Sequence, residues 1–89
     1  MTVNTLTTNL ANYYQQELTY TKVALTNEND LIQRSNICWY CLQRCLGAAQ
    51  FAEHCGADVV TVETMYEGIK QKVTEMYYNK EKKRGTENG

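Results

Sequence analysis

The stretch 31-LIQRSNICWYCLQRCLGAAQFAEHC-55 decides the fold of this chain. Set at 100° per residue, its apolar side chains take up most of the circumference of a helix. Leu31, Cys38, Leu42, Cys45, Ala49 and Ala52 make the centre of the arc. Ile32, Trp39 and Leu46 flank one side, and Ile37, Tyr40, Ala48, Phe51 and Cys55 extend the other. A helix apolar nearly all round has to be covered nearly all round. The rest of the chain must supply the cover.

On both sides the sequence offers a helix with a single apolar stripe. Upstream, Leu6, Leu10, Tyr13, Tyr14, Leu18, Tyr20, Ala24 and Leu25 recur at helical spacing. The segment 18–23 alternates and is rich in β-branched residues. It has no second strand to pair with and is read as helix. Glu17 falls inside the stripe and is expected at its rim or beside a partner such as a tyrosine hydroxyl. Downstream, Val62, Met65, Tyr66, Ile69, Val73, Met76 and Tyr77 form the second stripe.

The breaks are short. Asn27 is a good N-cap, and Asp30 three residues on resembles a capping box. Gly56 stands where a left-handed helix-ending residue is expected, and Asp58 can cap the third helix. Lys80, Lys82, Lys83 and Arg84 suit the negative end of that last helix, and Gly85 is expected to stop it. With 89 residues and no proline, the expected fold is one all-α, antiparallel three-helix bundle. Its helices span about 4–25, 28–55 and 59–83, with the second central. Residues 1–84 make the domain and 85–89 a disordered tail.

Composition narrows the function. A net charge of −1 makes the chain as a whole no magnet for nucleic acid or anionic membrane. No run approaches the roughly 20 apolar residues of a membrane span. The first residues lack the basic start and apolar run of a secretory signal. The expected compartment is the cytoplasm, with the four cysteines reduced.

Three features invite a chemical reading. Cys38, Cys41 and Cys45 follow C-x2-C-x3-C, and thiolates are good zinc ligands. On a helix they lie within roughly 60° of one another at the middle of the apolar arc, where plain buried thiols sit. His54 projects to the polar side. Core packing is the expected role, and a metal or redox site is the alternative.

The second feature is the corner from Phe51 to Met65, which resembles a helix-turn-helix motif. Ala52 permits close crossing, Gly56 makes the turn, and Val62 and Met65 pack back. A recognition helix needs basic and amide groups for phosphates and base edges. The corresponding face carries Val59, Val60, Glu63, Thr64 and Glu67. DNA binding is therefore the lesser reading.

The third is the single histidine. His54 has no serine or aspartate in a recognisable arrangement, and no glycine-rich phosphate loop exists. No catalytic residue, metal ligand or cofactor is expected.

What remains is surface. The Ile37, Tyr40 and Phe51 side exceeds what two one-faced helices cover, and Gly47, Ala48 and Ala49 add a small-residue patch beside it. The expected function is a small non-enzymatic protein–protein interaction module of regulatory, adaptor or inhibitor type. Such compact chains are frequent among phage and mobile-element reading frames. The expected partner is a protein or a second copy, as a homodimer.

Overall fold

The computed structural model describes the backbone of residues 3–88 and the side chains of 5–78. It is an all-α bundle of three helices: α1 Val3–Thr26, α2 Leu31–His54 and α3 Val59–Asn88. Segment 18–23 is helical, as expected. Each helix packs on both others, and α2 runs antiparallel to its two neighbours. Near its start, Arg34 reaches Leu25 on α1 and Tyr77 on α3. Farther along, Arg44 meets Glu17 and the Leu42 carbonyl accepts from Tyr66.

Both corners are made by local chemistry. At the first, the cap is Asp30 and not Asn27. The Asp30 carboxylate accepts from the Ile32 and Gln33 amides at 2.8 and 3.2 Å. α2 therefore begins at Leu31, three residues later than expected. The Glu28 carboxylate in turn accepts from the Asp30 amide at 3.2 Å. At the second corner α2 ends in a Schellman motif. The Gly56 amide donates to the Glu53 carbonyl, and the Ala57 amide to the Ala52 carbonyl, both at 3.0 Å. Gly56 takes φ 107°, which a side chain would oppose. Ala52 and Ala57 are both buried, the apolar contact that accompanies this motif. Asp58 then caps α3 by accepting from the Thr61 amide and hydroxyl, each at 2.9 Å. These hydrogen bonds to the ionised form hold the Asp58 carboxyl below its usual range.

Gly85 does not end α3, whose backbone stays helical to Asn88. One glycine costs a helix about 1 kcal/mol, less than a true stop requires. The basic side chains 80–84 and the side chains of the expected tail 85–89 lie outside the described residues.

The core is asymmetric in size. From α2 it takes Arg34, Cys38, Cys41, Cys45, Ala49 and Ala52, a stripe of small groups below one long side chain. α1 supplies Leu10, Tyr14, Leu18 and Leu25, and α3 supplies Val62, Ile69 and Val73. Tyr20 and Ala24, expected in the α1 stripe, are exposed, and Thr21 is buried in their place. Thr21 lies three and four residues from Leu18 and Leu25, so it shares their face.

Arg34 closes the bundle at one end. It is 2% exposed and donates to four main-chain carbonyls. Nη1 reaches Leu25 O at 2.8 Å and Glu28 O at 2.9 Å. Nη2 reaches Met76 O at 3.3 Å and Tyr77 O at 2.8 Å. The guanidinium also lies 5.7 Å from the Tyr77 ring centre. One forked cation thus serves the last turn of α1, the loop after it and a turn of α3.

Replacing it removes several charge-assisted bonds at once and takes from the Glu28 carbonyl, in the loop, and the Leu25 carbonyl, at the end of α1, their strongest donor. R34A is expected to lose about 3 kcal/mol of stability. R34K should recover only part, because an ammonium cannot fork across both helices. Urea unfolding checks this, and a loss below about 1 kcal/mol would show that the carbonyls do not need the guanidinium.

Candidate functional site

The small buried stripe of α2 decides where its large side chains go. The core-facing positions of α2 lie within about 80° of one another on the helix. Ile32 and Trp39 fall well over 100° from the centre of that stripe, and Tyr40 and Phe51 almost as far on the other side. All four are open to solvent: Ile32 at 72%, Trp39 at 55%, Tyr40 at 55% and Phe51 at 68%. The Trp39 and Tyr40 rings meet edge to face, 5.1 Å apart at 77°, and form one aromatic plate.

The expected surface of Ile37, Tyr40 and Phe51 is only partly assembled. Tyr40 and Phe51 are exposed, but Ile37 is half-buried and packs on the core. Its angular position is nearest the core edge. Conversely, Trp39 and Ile32 belong to the open surface. In the sequence pattern they fall on a flank that the other helices would be expected to cover. Two helices over one narrow stripe leave that flank bare.

Gly47, Ala48 and Ala49 are consecutive in sequence but not one patch in space. Ala49 is buried, Ala48 is half-buried, and Gly47 faces outward with open space where a Cβ would stand. A helix turns 100° per residue, so three neighbours cannot share a face.

Phe51 borders a groove of about 620 Å³ between the start of α1 and the end of α2. Leu6, Tyr13, Ala48 and Cys55 help to line it. A second hollow of about 430 Å³ lies between α2 and α3, bordered by Glu53, Glu63 and Glu67.

The cysteines divide into two sets. Cys41 and Cys45 are 0% exposed, Cys38 is buried beside them, and Cys55 is exposed. Burial pushes the Cys38 thiol up. Cys45 is pushed up by its hydrogen bond to Cys41 and then by burial. The Cys41 sulfur also sits 3.9 Å from the Glu17 carbonyl oxygen. Among the described residues, no group of three or more His, Cys, Asp or Glu side chains is arranged to hold a metal ion. His54 is exposed, on the far side of the helix from the buried thiols.

Glu17 is buried in the α1 stripe, with Arg44 Nε donating to its Oε1 at 2.7 Å. Burial raises the neighbouring Tyr13 phenol, and the Glu17 charge adds to the effect. The deepest phenol is Tyr14, whose pKa burial raises to about 12. Its hydroxyl has no hydrogen-bond partner among the described residues.

The Phe51–Met65 corner is a side-by-side hairpin. α2 and α3 stay in contact from Ala52 to the Arg34–Tyr77 end. Helix-turn-helix motifs set their helices at about 90–120° instead. The exposed start of α3 carries Val59, Val60, Glu63 and Thr64, with Glu67 bound to Lys70 at 2.9 Å. No helix among the described residues is long and apolar enough to cross a membrane. Comparison with known protein families, curated proteins and solved structures finds no match.

Two measurements check this geometry. In the native protein one thiol of four, Cys55, should react quickly with a thiol reagent, and all four should react in denaturant. Fast native labelling of Cys41 or Cys45 would contradict the packed core. For Tyr14, the folded pKa of about 12 lies above the ordinary value of 10.0, so the fold favours the neutral phenol. Its contribution is complete below pH 10 and is lost as pH rises through 12. Y14F should flatten that alkaline fall and leave stability at neutral pH no lower than the parent's, since no hydrogen bond is lost. An unchanged alkaline slope would place the titration elsewhere.

Proposed function

We propose that the protein is a non-enzymatic interaction module that works by surface contact through the outer face of α2. One observation carries the reading. Ile32, Trp39, Tyr40 and Phe51 stand open on a single helix, whose own share of the core is Arg34 and a row of thiols and methyls. Isolated exposed apolar residues are ordinary, but a run of large ones on one element marks a contact surface. Tryptophan and tyrosine are also the side chains that most often anchor binding.

Nothing on this face asks for chemistry. The exposed histidine and thiol at its end, His54 and Cys55, adjoin no catalytic arrangement, and Arg44 beside Phe51 is paired with Glu17. The DNA reading finds less support, since carboxylates border the hollow at the α2–α3 corner. Four free thiols fit a reducing compartment, which agrees with a cytoplasmic module.

The test is affinity purification from native host extract, comparing the parent with a W39A/F51A variant of matched helicity. A specific protein recovered by the parent and lost by the variant is the expected result. Equal recovery by both would move the contact surface off α2.

A further inference from the structure

α2 carries a second seam, on the side opposite its buried stripe. Ile32, Asn36, Trp39, Gln43, Leu46 and Gln50 follow one another at alternate spacings of four and three. On a helix they fall within about 80° of one another, centred roughly 140° from the buried stripe. This is the spacing of a coiled-coil contact line, kept over almost three heptads. Leu46 is half-buried and the other five are exposed. The part from Ile32 to Gln43 stands open, while Leu46 and Gln50 also line the hollow between α2 and α3.

We infer that the seam is a self-association surface, on which α2 of a second copy of this chain packs to form a two-fold dimer. The inference rests on the interaction reading above and names its occupant.

Three properties single out a second copy. The first is charge. A two-fold interface sets a patch against itself, so any net charge near the axis meets its own sign. Between residues 32 and 50 the only charged side chains are Arg34 and Arg44. Arg34 is buried in the core, and Arg44, though partly exposed, is paired with Glu17 on the α1 side of the helix, away from the seam. The six seam side chains are themselves neutral, the carboxylates of Glu53, Glu63 and Glu67 border only the Leu46–Gln50 end, and the chain's net charge is only −1. A partner recognised by charge would find nothing to hold between Ile32 and Gln43.

The second is the polar content. The three polar members are all amides, which both donate and accept. In a parallel pair Asn36, Gln43 and Gln50 can therefore each hydrogen-bond the same residue of the other copy, and in an antiparallel pair Gln43 stays nearest its own copy. A carboxylate or an ammonium could not. Polar residues on such a line also set register and oligomer size, at some cost in stability.

The third is area. Seam side chains from residues 32 to 50 lie along roughly 27 Å of helix. They present on the order of 500 Å² per copy, which makes about 1,000 Å² for the pair, the lower bound for a specific interface. An interface at that lower bound is expected to form reversibly. Trp39 is its largest group, and Trp39 and Gln43 bracket the midpoint of the seam. They therefore stay close to the axis whether the two α2 helices run parallel or antiparallel.

Sedimentation equilibrium of the purified chain over the micromolar range tests this. The parent should pass from monomer to dimer. W39A should weaken the dimer at least about 30-fold, as the loss of an anchor residue does. Circular dichroism controls for folding, which an exposed position should not disturb. Charge exchange at Gln43 gives the sharper readout. Q43K and Q43E should each be monomeric at low salt, and mixing them should restore a dimer. Only an interface that brings this position near its own copy predicts that recovery.

A parent that stays monomeric throughout overturns the dimer. So does a dimer indifferent to W39A and to both Gln43 changes. If the chain is monomeric but its α2-dependent host partner persists, the dimer fails and the interaction reading stands. If neither a dimer nor an α2-dependent partner exists, both fail.

Discussion

The narrow stripe of Arg34, Cys38, Cys41, Cys45, Ala49 and Ala52 sets the terms for the rest of the molecule. Thiols and methyls fill little volume, so α1 and α3 must bring the bulk of the core with Leu, Tyr, Val and Ile. Both close on one side of α2 and meet each other there. The large side chains of α2 then have no interior left to enter. Their exposure follows from the packing of the core and is not a defect in it.

Arg34 and the caps make that packing possible at the ends. α1 finishes beside the start of α2, and its last carbonyls need donors. A single forked cation on α2 supplies one to Leu25, another to Glu28 in the loop, and reaches across to α3. The opposite corner uses main-chain geometry, with Gly56 giving the left-handed turn and Asp58 restarting the next helix. The bundle is thus closed by main-chain accounting at both ends, while its middle holds buried hydroxyls and thiols. The Tyr14 hydroxyl, without a partner among the described residues, is a place where the core is less than fully matched.

This division of labour bears directly on function. A core that needs only one face of α2 frees the remainder for contact. The freed surface contains a plate, Trp39 against Tyr40, and a neutral line of alternating apolar and amide groups. Surfaces of this composition bind by fit and desolvation, with little help from charge. The carboxylates gather at one end of that line, at the α2–α3 hollow that Leu46 and Gln50 share with Glu53, Glu63 and Glu67.

Much of this was legible in the residues. Periodicity and the absence of proline determined three helices, because a repeat near 3.6 with no breaker admits no other regular structure. Gly56 and Asp58 marked their corner through chemistry confined to a few neighbours. The burial of Cys38, Cys41 and Cys45 was equally readable, since they shared the middle of the apolar arc. Position along the chain could not choose between Asn27 and Asp30 as the first cap, because both offer the same acceptor within one turn. Nor could it find Arg34, whose carbonyl partners on α3 lie more than 40 residues away in sequence. The deepest ambiguity was in α2 itself. A helix apolar on nearly every side does not say which side is the inside. Only the docking of α1 and α3 on the small stripe decided that Ile37 turns inward while Ile32, Trp39, Tyr40 and Phe51 face out, because the helices pack where their backbones can come close.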